Sequence, residues 1–135
     1  MANIHAQLIS PDRIIFDGEI RSVVIPGIEG DMTVMAGHQP VMTMLYPGII
    51  FAIDAEGKAR RAFIQGGFAE ITNTNITILA QDAVAFEEVT PELIDQEILR
   101  LQMARDATTD TIRRARADAA VGRLEELKGS LRLTT

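Results

Sequence analysis

The sequence predicts a mainly β protein with an α-helical appendage. We read an N-terminal antiparallel β-sandwich of about ten strands over residues 1–86 and an antiparallel two-helix hairpin over residues 87–135. Three observations lead there. All five prolines lie at or before Pro91, and eight of the ten glycines precede Gly122. Up to Phe86, short β-type runs alternate with turn residues at roughly 8–12-residue spacing, the habit of a sandwich or barrel. Beyond Glu88 the apolar residues recur three and four apart, the period of a helix.

Taken in order, Ile4 to Ile9 reads as a strand and Ser10-Pro11-Asp12 as the break that ends it. Arg13 to Phe16 is a short strand, Asp17-Gly18 a turn, and Glu19 to Ile25 a β-branched strand closed by Pro26-Gly27. Met32 to Met35 follows, then the loop Ala36-Gly37-His38-Gln39-Pro40. Val41 to Leu45 ends at Tyr46-Pro47-Gly48. Ile49 to Ile53 and Ala59 to Gln65 flank a hairpin loop at Asp54-Ala55-Glu56-Gly57. Gly66-Gly67 marks a strand break or bulge. Phe68 to Ile71 and Ile76 to Leu79 flank Thr72-Asn73-Thr74-Asn75, and Ala83 to Phe86 closes the series.

Thr90-Pro91-Glu92 is a helix start: a capping threonine, proline at the first position, an acid in the first turn. Ile94, Ile98, Leu101 and Ala104 then form one helix face. Ala107-Thr108-Thr109 breaks the pattern. A second helix runs from about Thr111 to Lys128, with Ile112, Ala115, Ala119, Leu124 and Leu127 as an alanine-rich face and Gly129 as its C-terminal cap. The short link packs the two helices antiparallel.

Composition narrows the function. The chain has 135 residues, 47% apolar and 24% charged, as in ordinary globular proteins, so it is neither disordered nor collagen-like. It has no cysteine, which excludes disulfides, thiolate metal sites and thiol catalysis. A net charge of −6 argues against nucleic-acid binding, since no wide face would neutralise phosphates. No tryptophan and one tyrosine argue against platforms that stack bases or sugars. The N-terminus lacks the basic region and apolar run of a signal peptide, and the longest apolar stretch, around Gly48 to Ile53, falls far short of the ~20 residues that span a bilayer. A soluble chain in a reducing compartment is expected.

No catalytic constellation emerges. His5 reads as an ordinary sheet histidine and His38 as a hydrogen-bonding loop residue, and neither has a nucleophile pattern beside it. There is no Gly-x-Ser-x-Gly elbow or His-Glu-x-x-His helix. Gly66-Gly67 lacks the Lys-Ser/Thr ending of a phosphate loop. The two carboxylates of Glu29-Gly30-Asp31 are too few for a calcium loop, so no metal or cofactor is expected. The hairpin carries eight basic and ten acidic residues. It reads either as a solvated surface laced with ion pairs or as an element that docks on partners or a phosphate. The residues alone point to a binding or coupling module without naming its partner.

The punctuation of the first half resembles the epsilon subunit of the F-type ATP synthase. The resemblance rests on Ser10-Pro11, Phe16, Gly18, Val23-Val24-Ile25-Pro26-Gly27, Glu29-Gly30-Asp31, Gly37-His38-Gln39-Pro40 and Pro47-Gly48, then Gly66-Gly67-Phe68-Ala69-Glu70 and Ile76-Thr77-Ile78-Leu79-Ala80. It covers about residues 3–86. No single motif is specific; their order and spacing are. Met32-Thr33-Val34-Met35-Ala36 departs from the family's usual Phe/Leu-Gly-x-x-Pro, which alters loop detail.

The resemblance implies a non-catalytic rotor subunit at the foot of the central stalk, peripheral on the cytoplasmic face of the bacterial inner membrane. It implies binding to the gamma subunit and the c-ring, with the alpha/beta head as a further partner. By position it assigns Ser10, His38 and Thr43 to the gamma interface, and Gly27, Ile28, Glu29, Gly30 and Asp31 to the c-ring contact. In many members the hairpin extends and blocks ATP hydrolysis; Arg113, Arg114, Arg116 and Arg123 are then the basic contacts. Some members bind ATP through Ile/Leu-Asp-x-x-Arg-Ala. Here Val89-Thr90-Pro91-Glu92-Leu93 lacks both charged residues. The shifted register Ile94-Asp95-Gln96-Glu97-Ile98 puts isoleucine where arginine is needed, so no ATP site is expected. A free-standing ligand-binding β-domain and an independent enzyme are the alternatives from other classes.

Overall fold

Among the described residues, nine strands and two helices follow in chain order. A computed structural model describes the backbone of residues 2–134 and the side chains of residues 2–130. The strands are β1 (Ile4–Ser10), β2 (Arg13–Gly27), β3 (Gly30–Val34), β4 (Val41–Leu45), β5 (Gly48–Asp54), β6 (Ala59–Ile64), β7 (Gly67–Ile71), β8 (Asn75–Ala80) and β9 (Ala83–Ala85). A 3-10 turn, Phe86–Glu88, leads to α1 (Pro91–Asp106) and α2 (Thr111–Thr134). Residues up to Glu87 and residues from Glu88 onward form two compact units. Among the described residues no helix is long and apolar enough to cross a membrane.

β2 organises the sandwich because it belongs to both layers. Its first half pairs with β1, from Ser10↔Arg13 to Ile4↔Ile20. Its second half pairs with β5 and β3. One layer is therefore β4-β7-β8-β1-β2, with β1–β8 parallel, and the other β3-β2-β5-β6-β9. Ile15 is an extra residue against β1 and Arg21 an extra residue against β5. Each bulge bends the strand, and the one at Arg21 lies where its pairing passes from β1 to β5. The core between the layers is rich in isoleucine: Ile4, Ile20, Ile25 and Ile64 are fully buried, each stabilising the fold by about 1.5–3 kcal/mol.

Two local expectations give way here. Asp17-Gly18 does not turn the chain, because Gln7↔Asp17 and Ala6↔Gly18 are consecutive pairs of the β1–β2 ladder. The predicted strands Arg13–Phe16 and Glu19–Ile25 are thus one strand, and the count is nine. Gly18 is instead the residue over which the Phe16 ring lies; a Cβ there would sit 3.4 Å from the ring. The turn is set earlier, at Pro11-Asp12, where Ser10 Oγ donates to Asp12 Oδ1 at 2.8 Å.

Gly66-Gly67 is a true break between the layers. Both residues have positive φ, +110° and +156°, and a Cβ on Gly67 would meet the Leu79 carbonyl oxygen at 2.2 Å. Only glycine allows that approach. In the β5–β6 loop, buried Asp54 accepts hydrogen bonds from the Glu56 and Lys58 amides and from Arg60 Nε, and so organises the turn.

In the hairpin, Thr90 caps α1 by accepting from the Leu93 amide at 3.1 Å, with Pro91 at the first helical position. Asp110 caps α2 through the Ile112 amide at 2.9 Å. The helices run antiparallel, tied by Arg105–Asp118 at 2.8 Å and by Lys128–Asp95. The seam differs from the expected one. Ile112, Ala115, Ala119 and Ala104 are exposed, whereas Ala120, Val121 and Leu124 on α2 and Ile94 and Glu97 on α1 are buried. In the link, Arg114 Nη1 donates to the carbonyls of Arg105 and Thr108. Gly129 does not stop α2, which continues to Thr134 in right-handed geometry. An exposed helical glycine costs only about 1 kcal/mol, too little to end a helix.

Candidate functional site

Register places residues side by side, and directly opposed residues share a face of the sheet. Across the layer β4-β7-β8-β1-β2 the pairs are Met44↔Phe68, Phe68↔Leu79, Leu79↔Ile9 and Ile9↔Ile14. Five apolar residues from five strands thus form one continuous row on the outer face. Met44, Leu79 and Ile14 are 55%, 49% and 60% exposed, and Phe68 and Ile9 are half-buried. A solvated sheet face normally alternates polar-outward; an apolar row rimmed by polar groups marks an interaction site.

The next row is polar beyond its first residue, Met42: Met42↔Glu70, Glu70↔Thr77, Thr77↔Gln7 and Gln7↔Asp17. Beyond it His5 stands between two carboxylates, with Nε2 2.8 Å from Asp17 Oδ1 and Nδ1 3.0 Å from Glu19 Oε2. The face grades from an apolar row to a charged cluster.

The predicted site residues fall around this face. Ser10 follows Ile9 and is buried, its hydroxyl committed to the Pro11-Asp12 turn at the far corner of the apolar row. Thr43 is half-buried in β4 between the outward Met42 and Met44. His38 is half-buried in the loop before β4, with Nδ1 2.7 Å from the Gln39 carbonyl. That loop is tied to the β7–β8 turn by the Gly37 amide on the Asn73 carbonyl. His38 therefore lies at the opposite end of the layer from Ser10.

Gly27 to Asp31 forms the β2–β3 hairpin, with Gly27 opposite Gly30. Gly27 is buried, and a Cβ on it would come 2.8 Å from the Gly30 carbonyl oxygen. The Ile28 amide donates to the Met44 carbonyl at 3.0 Å, which fastens the turn to the end of β4. Glu29, Gly30 and Asp31 are exposed. The turn and Thr43 share one surface groove, floored by Met32, Met42 and Met44. Methionine adapts its shape to what it meets, which suits a partner surface.

The four arginines of α2 are not equivalent. Arg113 is exposed, 3.9 Å from Asp110. Arg114 donates to the carbonyl of Arg105 in the last turn of α1 and to that of Thr108 in the link. Arg116 is exposed, and Arg123 is half-buried with a partner inside the protein. Among the described residues no group of three or more acidic or histidine side chains is arranged to hold a metal ion. The apolar row and the carboxylate-clamped His5 escaped sequence reasoning. Their members are single residues on separate strands, and only the register joins them.

The family model for the ATP synthase delta/epsilon chain β-sandwich domain matches residues 3–86. The chain is 42% identical over 127 residues to the ATP synthase epsilon chain of Parvibaculum lavamentivorans, covering 93% of this chain and 92% of that one. It is 38% identical to the ATP synthase epsilon chain of Maricaulis maris, covering 93% of each. Among solved structures it superposes on a chain of the Euglena gracilis mitochondrial ATP synthase (OSCP/F1/c-ring) with a TM-score of 0.72 and 28% identity, over 97% of this chain and 82% of that one. Sandwich, hairpin and sequence agree: the chain belongs to the epsilon-chain family of the ATP synthase.

Proposed function

We propose that this chain is a non-catalytic rotor subunit that fastens the gamma subunit to the c-ring, so that proton-driven rotation of the ring reaches the catalytic head. The observation that carries this reading is the outer apolar row Met44–Phe68–Leu79–Ile9–Ile14, a surface that water penalises until a partner covers it. Ser10 and His38 flank the layer that bears this row and Thr43 lies on its edge strand, which suits a gamma interface there. The exposed Glu29-Gly30-Asp31 turn projects beside the same layer and suits a polar contact with the c-ring, where rim charges set orientation more than affinity. A rotor contact carries load in shear, and a rigid two-layer sandwich presenting both surfaces from one body meets that need. The site of action is the cytoplasmic face of a bacterial inner membrane, reached through protein partners.

The hairpin is the regulatory half of the proposal. Its seam is thin: two of its buried residues are Ala120 and Val121, which contribute little area. It is mobile relative to the sandwich and brakes ATP hydrolysis through Arg113 and Arg116. The test is reconstitution with a head complex depleted of this subunit, comparing the full chain with one ending at Phe86. Both forms co-eluting with gamma, with only the full chain slowing hydrolysis, is the expected result. Failure of both to bind refutes the rotor reading. Binding of both without inhibition refutes the brake alone. Asp31→Arg weakens coupling of proton flow to synthesis; unchanged proton pumping in that variant removes the ring contact from the turn.

A further inference from the structure

Four of the six methionines fall between Met32 and Met44, which gathers most of the sulfur of a cysteine-free chain in one short stretch. Met42 and Met44 stand two apart on β4, and side chains two apart on a strand share a face. They are 61% and 55% exposed, while Leu45 beside them is buried, so both point outward. Met44 heads the apolar row opposite Phe68, and Met42 heads the adjoining row opposite Glu70. The other exposed sulfurs lie off this face. Met35, also more than half exposed, follows β3 of the other layer, and Met103 is on α1.

Thioether chemistry sets these two residues apart from the rest of the face. The hydrocarbon side chains of Ile9, Ile14 and Leu79 do not react with peroxide. A methionine sulfur does, and its sulfoxide is polar where the thioether was apolar. The sulfur lone pair attacks one peroxide oxygen, an S–O bond forms and the O–O bond breaks. The departing hydroxide takes up a proton and leaves as water. Sulfur loses two electrons and the peroxide gains them. On a free surface the new oxygen is solvated by water. Under an apolar partner it has no donor, and its desolvation opposes docking.

We propose that Met42 and Met44 are a reversible oxidation site that controls docking of the gamma subunit. Hydrogen peroxide converts them to sulfoxides on the free chain, the sulfoxides weaken the interface, and a bound gamma subunit shields both sulfurs by covering them. The inference rests on the assignment of this face to gamma and adds its regulation. Reduction resets the site: a sulfoxide reductase with a dithiol releases the oxygen as water, leaving the thioether and a disulfide of the reductant. Because both side chains face solvent, the core is untouched by the change.

The experiment treats the full chain with dilute hydrogen peroxide, removes the peroxide and titrates the chain with untreated gamma subunit, while peptide mass spectrometry maps the added oxygens. Oxidation is expected at Met42, Met44, Met35 and Met103. Affinity for gamma should fall about tenfold per sulfoxide on the face, about 100-fold for both, with the thermal melt still cooperative. Methionine sulfoxide reductases with a dithiol should restore the affinity. The Met42→Leu/Met44→Leu chain, compared with itself before and after peroxide, should show no response, whereas Met35→Leu/Met103→Leu should respond as the parent does. With gamma bound before the peroxide, Met42 and Met44 should oxidise about tenfold more slowly relative to Met103. Weakening of less than threefold, an equal response in Met42→Leu/Met44→Leu, or loss of the cooperative melt on oxidation overturns the inference and leaves the rotor reading in place. An untreated chain that does not bind gamma removes both.

Discussion

Truncating Leu79 and Ile14 to alanine should separate docking from folding. In the free protein Leu79 is 49% and Ile14 60% exposed, so each has gained only about half of its burial free energy on folding. Complete burial of such a side chain contributes about 1.5–3 kcal/mol. The half still facing water is therefore worth about 0.8–1.5 kcal/mol per residue when a partner covers it. The double variant should lose about 1.5–3 kcal/mol of affinity for the gamma subunit, roughly 13- to 150-fold in Kd. Folding should lose about 1 kcal/mol per site, small enough to leave a cooperative melt. Leu99→Ala is the control, since Leu99 is 57% exposed but lies on α1 in the other unit. Its affinity for gamma should change less than twofold. Titration calorimetry gives Kd, and thermal melts give the folding term. Less than threefold weakening in the double variant, or equal weakening by Leu99→Ala, would refute the docking role of the row.

Three further outcomes follow from the packing. The Lys58 amide, with help from Arg60 and the Glu56 amide, holds the Asp54 carboxyl below its ordinary value of 3.8 despite its burial. The folded pKa is depressed, so the carboxylate stabilises the protein at neutral pH, and that contribution is lost as pH falls below about 4. Asp54→Asn should melt lower than the parent at pH 7, and the two melts should converge towards pH 3; a constant gap across that range would contradict the assignment. Gly67→Ala forces a Cβ into the Leu79 carbonyl at a φ that alanine avoids, and should cost about 3 kcal/mol or more in urea unfolding. A loss below 1 kcal/mol would show that the break is not held as described. In the hairpin, Arg100 neutralises buried Glu97 with bonds of 3.1 and 3.2 Å from Nε. Arg100→Ala should speed amide exchange across the seam by about ten- to thirtyfold, discounted for the half-exposed guanidinium, and adding Glu97→Leu should restore it. If the second change slows nothing, the buried charge is not what destabilises the first.

Glu97 illustrates why part of the hairpin could not be read from periodicity. Counting apolar residues at helical spacing locates Ile94 and Leu124 but cannot register a carboxylate that is buried with its own counter-ion from the next turn. The same limit applies to Ile112, apolar and in phase, yet exposed. Helix existence was legible because Thr90, Pro91 and Asp110 act locally, through backbone groups within three residues. Which face is buried depends on a partner helix, and so on the link.

The sandwich divides along the same line. Its strands, its turn at Pro11-Asp12 and its break at Gly66-Gly67 were readable because propensity, φ restriction and turn chemistry are properties of a few consecutive residues. The motifs that point to the epsilon-chain family are of this kind, being loops and breaks that keep their order along the chain. The fate of Asp17-Gly18 was not local: the ladder to β1 keeps the strand extended through it. The interaction face is less local still. Ile9, Ile14, Met44, Phe68 and Leu79 are spread along the chain and become a surface only when four strand registers align them. The sequence by itself determined the elements and their kinship, because those rest on short-range chemistry. The tertiary structure decided the surfaces, because a surface is made of distant residues that only strand pairing brings together.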